Sequence, residues 1–136
     1  MTTDLTQSRI ALQDVMLTYA AAVDERDQPR YLACFEEDVE VVGFGNKTYR
    51  NRDQWVDYVW RALDKYSATQ HMLGPTLATI SGNRACTRTD VQALHFIAGK
   101  DTHFVLWATY KTDMQRRGDN WKISRHELIV TGTSSY

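Results

Sequence analysis

Four long β-rich stretches fill the second half of this chain, near residues 68–81, 84–98, 102–116 and 120–132, separated only by Ser81-Gly-Asn83, Gly99-Lys-Asp101 and Arg117-Gly-Asp-Asn120. Glycine beside a short polar residue is hairpin chemistry, so consecutive stretches must pair antiparallel. Each stretch is far longer than the usual strand of about five or six residues. Long twisted strands in a chain of 136 residues cannot stay flat. The sheet must therefore curl, and a bulge is expected at Gly74-Pro75, where proline cannot donate to a ladder.

The first half reads as helices with one strand. From about Leu5 to Val23, apolar residues Leu12, Val15, Met16, Tyr19, Ala20 and Val23 recur at three- and four-residue steps and make one helical face. Asp27 is a good N-cap for a second short helix, with Pro29 in its first turn, Tyr31, Leu32 and Phe35 on its buried side and an end near Glu36. Val39-Glu-Val-Val42 is β-branched and runs into Gly43-Phe-Gly45, a strand followed by a turn. Asn51 and Gln54 have capping-box spacing and open a third helix to about Lys65, with Trp55, Val59, Ala62, Leu63 and Tyr66 facing inward. Helices first and a meander second is an α+β order rather than the alternation of a doubly wound fold. A curled sheet closed on one side by helices is a cone with a pocket, and the length suits one domain, residues 1–136.

Composition excludes several functions. The net charge is −1 with both signs interspersed, which leaves no electrostatic footprint for nucleic acid. The N-terminus lacks a basic start and an apolar run, no stretch approaches the length of a membrane span, and the chain reads as cytosolic. Cys34 and Cys86 are not in a CxxC and are expected as buried free thiols. Gly43-Phe-Gly45-Asn-Lys-Thr48 lacks the glycine spacing of a dinucleotide or phosphate loop, and His126-Glu127 lacks a second histidine at helical spacing. No cofactor and no metal are expected.

The element order, together with Tyr19-Ala-Ala-Ala-Val-Asp24-Glu-Arg-Asp27, Thr69-Gln-His71-Met and Asn120-Trp121-Lys-Ile123, resembles the SnoaL-like branch of the NTF2-like superfamily over nearly the whole chain. The resemblance implies a cone-shaped, highly curved antiparallel or mixed sheet with three helices enclosing a pocket. The scytalone dehydratase, bile-acid dehydratase and dehydrochlorinase group of that branch carries an aspartate ending the first helix and a histidine early in the sheet, and Asp24 and His71 match these positions. His95 stands about where a second pocket histidine occurs, and Tyr19 where a tyrosine precedes the aspartate by five residues. Glu127 is the one acidic residue late in the sheet, where cyclases of the branch use one. The resemblance also implies a homodimer through the outer sheet face.

Each of these residues has a plainer reading. Asp24 extends the apolar face of its helix but sits where the macrodipole disfavours an anion, so it is either compensated or part of a frayed, solvated end. His71 is a base if a carboxylate fixes its tautomer, and otherwise a strand histidine bonded to a backbone carbonyl. His95 shares a strand face with Val91, Ala93 and Ile97 and faces either the interior or an interface. Tyr19 is a pocket hydroxyl or a packing group. Arg125, on the alternation of Trp121 and Ile123, enters the pocket, caps its mouth or is exposed. Trp55, Met72, Phe96 and Trp107 complete the candidate pocket wall, and an aromatic wall favours apolar ring-bearing substrates.

Two functions fit this pattern. One is a cofactor-independent lyase or isomerase, dehydratase-like, acting on a small cyclic or carbonyl-bearing molecule through Asp24 and His71. The other is a non-catalytic ligand-binding or assembly domain, including one resembling the β subunit of ring-hydroxylating dioxygenases; it predicts a filled pocket or an Asp24 and His71 beyond hydrogen-bond reach.

Overall fold

The computed structural model describes residues 5–136. The first four residues, which belong to the expected 1–136 domain and leaderless N-terminus, lie outside the described part. Helices α1 (Leu5–Asp24), α2 (Gln28–Leu32) and α3 (Arg52–Leu63) alternate early with β1 (Phe35–Val42), and the strands β2 (Tyr66–Leu73), β3 (Leu77–Ser81), β4 (Arg84–Ile97), β5 (His103–Arg117) and β6 (Asn120–Ser135) follow. The sheet has six strands in the order β1-β6-β5-β4-β2, with β3 also pairing β4. β1 runs parallel to β6 and the later pairs are antiparallel, so the sheet is mixed. Among the described residues no helix is long and apolar enough to cross a membrane.

The helix caps follow from local chemistry. The Asp27 side chain accepts from the Arg30 N–H with Pro29 in the first turn, and the Asn51 side chain accepts from the Gln54 N–H. Each satisfies a donor that the first helical turn leaves free. Buried Leu12, Met16, Tyr19, Ala20 and Val23 form the inner stripe of α1, which lies against β2.

Three boundaries differ from the sequence expectation. α2 ends at Leu32, and Phe35, expected on its buried side, instead opens β1, because pairing to β6 at Phe35 and Ile123 captures the backbone there. Tyr66, expected on the inner face of α3, is the first residue of β2 and pairs with Ile97. The stretch 68–81 is two strands rather than one bulged strand. β2 and β3 each pair with a different part of β4, and the Gly74 N–H donates to the Asp90 carbonyl at the break.

Two irregularities curve β6 against β5. Register shifts occur between Trp107 and Ala108 and between Asp113 and Met114, and the second leaves Ser124 as the extra residue of β6. A bulge of this kind bends the strand and reverses which side chains face inward beyond it. Cys34 is buried as expected, whereas Cys86 is exposed because it pairs with Asp113 on the outer face of the sheet.

Candidate active site

Between the inner face of the sheet and the helices lies a cavity of about 280 Å³. Its wall is aromatic, with Tyr19, Tyr31, Phe44, Trp55, Tyr58, Tyr66, Phe104 and Tyr110, and two histidines, His71 and His95, supply its titratable nitrogen atoms. Among the described residues no aspartate, glutamate, lysine or arginine lines it.

His71 is brought to this wall by β2, whose register sets His71 opposite Ala93 of β4 and, through it, Leu106 of β5. Asp24 reaches the same place from the last position of α1. Its Oδ1 lies 2.8 Å from His71 Nδ1, and its Oδ2 accepts from the His71 backbone N–H at 2.7 Å. The Thr69 hydroxyl adds a third bond, donating to Asp24 Oδ1 at 3.0 Å. Burial pushes the Asp24 carboxyl up, but the bonds from the His71 ring and backbone, the His71 charge and the Thr69 bond outweigh it and hold the group below the usual carboxylate value. These donors are the compensation that an anion at a helix C-terminus requires.

A carboxylate accepts and does not donate, so the proton on this contact sits on His71 Nδ1. Nε2 then carries the lone pair, and no hydrogen bond from a described residue occupies it. That is the arrangement of a general base with its orienting acid.

Arg26 secures the far side. It is the one described non-glycine residue with positive φ, at 59°. In that conformation its Nη1 donates to the Val23 carbonyl at 2.6 Å and to Thr69 Oγ1 at 2.9 Å. Because guanidinium only donates, Thr69 must spend its own proton on Asp24. Residue order does not single out Arg26, since a positive φ is invisible in a string that holds no glycine there.

His95 stacks on Phe104 with ring centroids 4.2 Å apart and lies 5.9 Å from the His71 ring. Burial, aided by the charge His71 carries when protonated, lowers its pKa to about 4, so the ring is neutral near pH 7. Its Nδ1 is buried without a hydrogen-bond partner. Tyr19, on α1, is buried with its hydroxyl 3.0 Å from Nε2 of His126, and Trp55 on α3 donates from Nε1 to the Tyr31 hydroxyl at 3.2 Å.

Of the expected site residues, Asp24, His71, His95, Tyr19 and Trp55 converge on the cavity, with Asp24 just behind its wall. Met72, Phe96, Trp107 and Arg125 do not. Met72 and Phe96 follow His71 and His95 directly, so strand alternation turns them outward, where they are 62% and 41% exposed. Trp107 pairs with Gln92 on that same outer face and lines a shallow groove there with Met72. Arg125 is turned out by the bulge at Ser124 and binds Glu40 at 3.0 Å and Glu127 at 3.2 Å. The bulge puts His126 inside instead, fully buried and opposite Thr112. Alternation from Trp121 and Ile123 hid it.

The α-helical lid, the curved mixed sheet and the acid-supported histidine in an aromatic cavity define a cone of the NTF2-like superfamily. Residues 5–127 match the SnoaL-like domain, and the chain belongs to that family. Among solved structures, a candidate scytalone dehydratase from Novosphingobium aromaticivorans is 25% identical, with 97% of this chain and 89% of that one covered and a TM-score of 0.88. A type 3 hexachlorocyclohexane dehydrochlorinase from Novosphingobium barchaimii is 21% identical, with 96% and 91% covered and a TM-score of 0.86. A candidate aromatic ring hydroxylase from Novosphingobium aromaticivorans is 22% identical, with 99% and 96% covered and a TM-score of 0.88. No curated protein matches the sequence.

Proposed function

We propose that this protein is a cofactor-independent lyase or isomerase that removes a proton from a small, uncharged, ring-bearing substrate carrying a carbonyl or a leaving group. The single observation that carries this reading is the Asp24 and His71 pair, 2.8 Å apart, opening onto an aromatic cavity. His71 Nε2 takes the proton from carbon. Asp24 holds the ring in the required tautomer and stabilises the imidazolium that forms. Tyr19 or His95 serves the oxygen or the departing group.

The size of the cavity and its lack of charged side chains support a single-ring substrate without carboxylate or phosphate, since a buried ionised group would find no partner. The likeness to a candidate scytalone dehydratase is in keeping with elimination chemistry. A module that only binds would need neither a three-donor grip on Asp24 nor a histidine with a free Nε2.

The test is proton transfer itself. Cyclic ketones and halogenated or hydroxylated rings are incubated with the protein in deuterium oxide, and deuterium incorporation or elimination is followed by NMR. Turnover is expected for the native chain and lost in His71→Ala and Asp24→Asn; full turnover by either variant overturns the assignment. From the family resemblance we also infer a homodimer contact on the outer sheet face, where Met72, Phe96 and Ile129 are exposed. Light scattering of a Met72→Glu, Phe96→Glu double variant tests it, a monomer being the expected result.

A further inference from the structure

His126 is the least expected polar group in the molecule. It is wholly buried behind the cavity wall, stacked on Phe44 with centroids 5.6 Å apart and close to Tyr110. Its Nδ1 lies 2.8 Å from Thr112 Oγ1 and its Nε2 lies 3.0 Å from the Tyr19 hydroxyl. Burial lowers its pKa to about 3, so at neutral pH one ring nitrogen carries a proton and the other a lone pair.

Two arrangements of the protons are open to this chain of three side chains. In the first, Nδ1–H donates to Thr112 and the Tyr19 hydroxyl donates to Nε2. Thr112 is 0% exposed and its Oγ1 meets no other described polar group, so its own proton would be sealed in the sheet without an acceptor. In the second, the Thr112 hydroxyl donates to Nδ1 and Nε2–H donates to the Tyr19 oxygen. The donor then left over is the Tyr19 hydroxyl, which has the Tyr31 hydroxyl beside it as an acceptor; both phenols line the cavity, so the chain of donations ends in a proton that a ligand oxygen or water can accept. The second arrangement leaves no donor stranded.

We propose that Thr112 and His126 are positioning residues that form a one-way hydrogen-bond relay through Tyr19, so that the adjacent Tyr19 and Tyr31 hydroxyls present a proton to the cavity and bind an uncharged oxygen, a carbonyl or a hydroxyl, of the bound molecule. The proposal rests on the cavity being the ligand site. Each donation polarises the next, so Tyr19 is a stronger donor than an isolated phenol. Burial and the adjacent Tyr31 hold the Tyr19 phenol well above its ordinary pKa, which keeps the proton on Tyr19 and suits it to donate rather than to act as a base. Tyr31 accepts from Trp55 Nε1 and from Tyr19, which leaves its own proton for the cavity. Developing negative charge on a substrate oxygen would thus meet a phenol pair driven from behind.

Nitrogen-15 two-bond correlation NMR of the full chain reads the His126 tautomer directly and requires no substrate. The Nε2–H tautomer is expected throughout the neutral range; the Nδ1–H tautomer overturns the relay. Carbonyl-labelled cyclohexenone then serves as the probe for the cavity end. Its bound carbonyl stretch is expected to fall in frequency, to lose that shift in Tyr19→Phe, and to keep most of it in His126→Gln, whose amide can accept from Thr112 and donate to Tyr19. A shift untouched by Tyr19→Phe overturns the proposal. Failure of the probe to bind overturns the cavity reading while the tautomer still decides the relay.

Discussion

Asp24 grips His71 twice, accepting from the ring at Nδ1 and from the backbone N–H of the same residue. The second bond exists because β2 ends the sheet order, so the outward N–H groups of that strand have no neighbouring strand. The end of α1 supplies the missing acceptor. One carboxylate therefore covers an exposed strand edge, fixes the strand against the helix and sets the imidazole tautomer.

Replacing that carboxylate by its amide separates these roles. An asparagine keeps the size of the side chain but can present an N–H to His71 Nδ1, which favours the wrong tautomer. Asp24→Asn is expected to lower proton transfer by about 100- to 10,000-fold, the usual range for a misoriented general base, read as the deuterium incorporation rate. The Asp24 carboxyl is held below its ordinary 3.8, so its stabilising contribution is present above that value and lost as pH falls through the folded one. Urea unfolding should show Asp24→Asn less stable than the native chain at neutral pH, with the deficit closing in strong acid.

Two histidines set a different acid limit. His126 and His95 are held neutral, at about 3 and about 4, while the unfolded chain takes up protons on both near 6.5. Between those values the unfolded state binds more protons, so stability falls as pH drops below 6.5. Each proton taken up only on unfolding contributes a slope of ~1.4 kcal/mol per pH unit. His126→Gln removes one such proton, and its unfolding free energy should fall less steeply in urea titrations between neutral pH and mild acid.

Arg26 holds a backbone conformation that costs a non-glycine residue about 1 to 2 kcal/mol. Its guanidinium bonds to Val23 and Thr69 hold it there. Arg26→Gly relieves the backbone and deletes the bonds, so the melting temperature is expected to stay close to that of the native chain. Proton transfer should nonetheless fall, by about tenfold if the lost Thr69 orientation is worth ~1.4 kcal/mol at the transition state. A variant with a lowered melting temperature and unchanged rate would make Arg26 a structural residue only.

Much of this arrangement can be read from residue order, and the failures share a cause. Helix caps at Asp27 and Asn51 and the hairpin glycines depend on local chemistry, which a sequence displays, whereas the pairing of Asp24 with His71 is what the resemblance to the SnoaL-like branch implies and no spacing shows. The inner and outer faces of a strand also follow from alternation, which puts Met72 on the other face from His71 and Phe96 on the other face from His95; their apolar character drew them wrongly toward the cavity. Arg125 and His126 could not be assigned correctly that way. One extra residue at Ser124 exchanges their faces, and a bulge leaves no mark when the residue inserted is neither glycine nor proline. The split between β2 and β3 is likewise a matter of which part of β4 each strand finds.

Gly43 joins β1 to the loop before α3, at φ +90°, and a Cβ there would press into the carbonyl of Leu128 on β6. Neither backbone can yield without disturbing the parallel pairing of Val42 with Glu127. Gly43→Ala combines a forbidden φ with a backbone clash, and a loss on the order of 2 to 4 kcal/mol is expected in urea unfolding. Leu128 lines the cavity, so ligand affinity should weaken with it.

Filling the cavity tests whether it is the place of reaction without touching the residues that would carry out the chemistry. Ala62 lies on α3 and lines the cavity, remote in sequence from Asp24 and His71. Ala62→Phe puts a ring into a space of about 280 Å³, enough to exclude a cyclic substrate while leaving the Asp24 and His71 bond intact. Apolar surface gains contacts, so thermal stability should hold or rise, since an unfilled void forfeits dispersion and transfer energy. Deuterium incorporation should fall to background, with the His71 tautomer unchanged by nitrogen-15 NMR. Full activity in Ala62→Phe would place the substrate elsewhere, and activity lost together with the tautomer would mean that the ring had displaced the pair rather than the ligand.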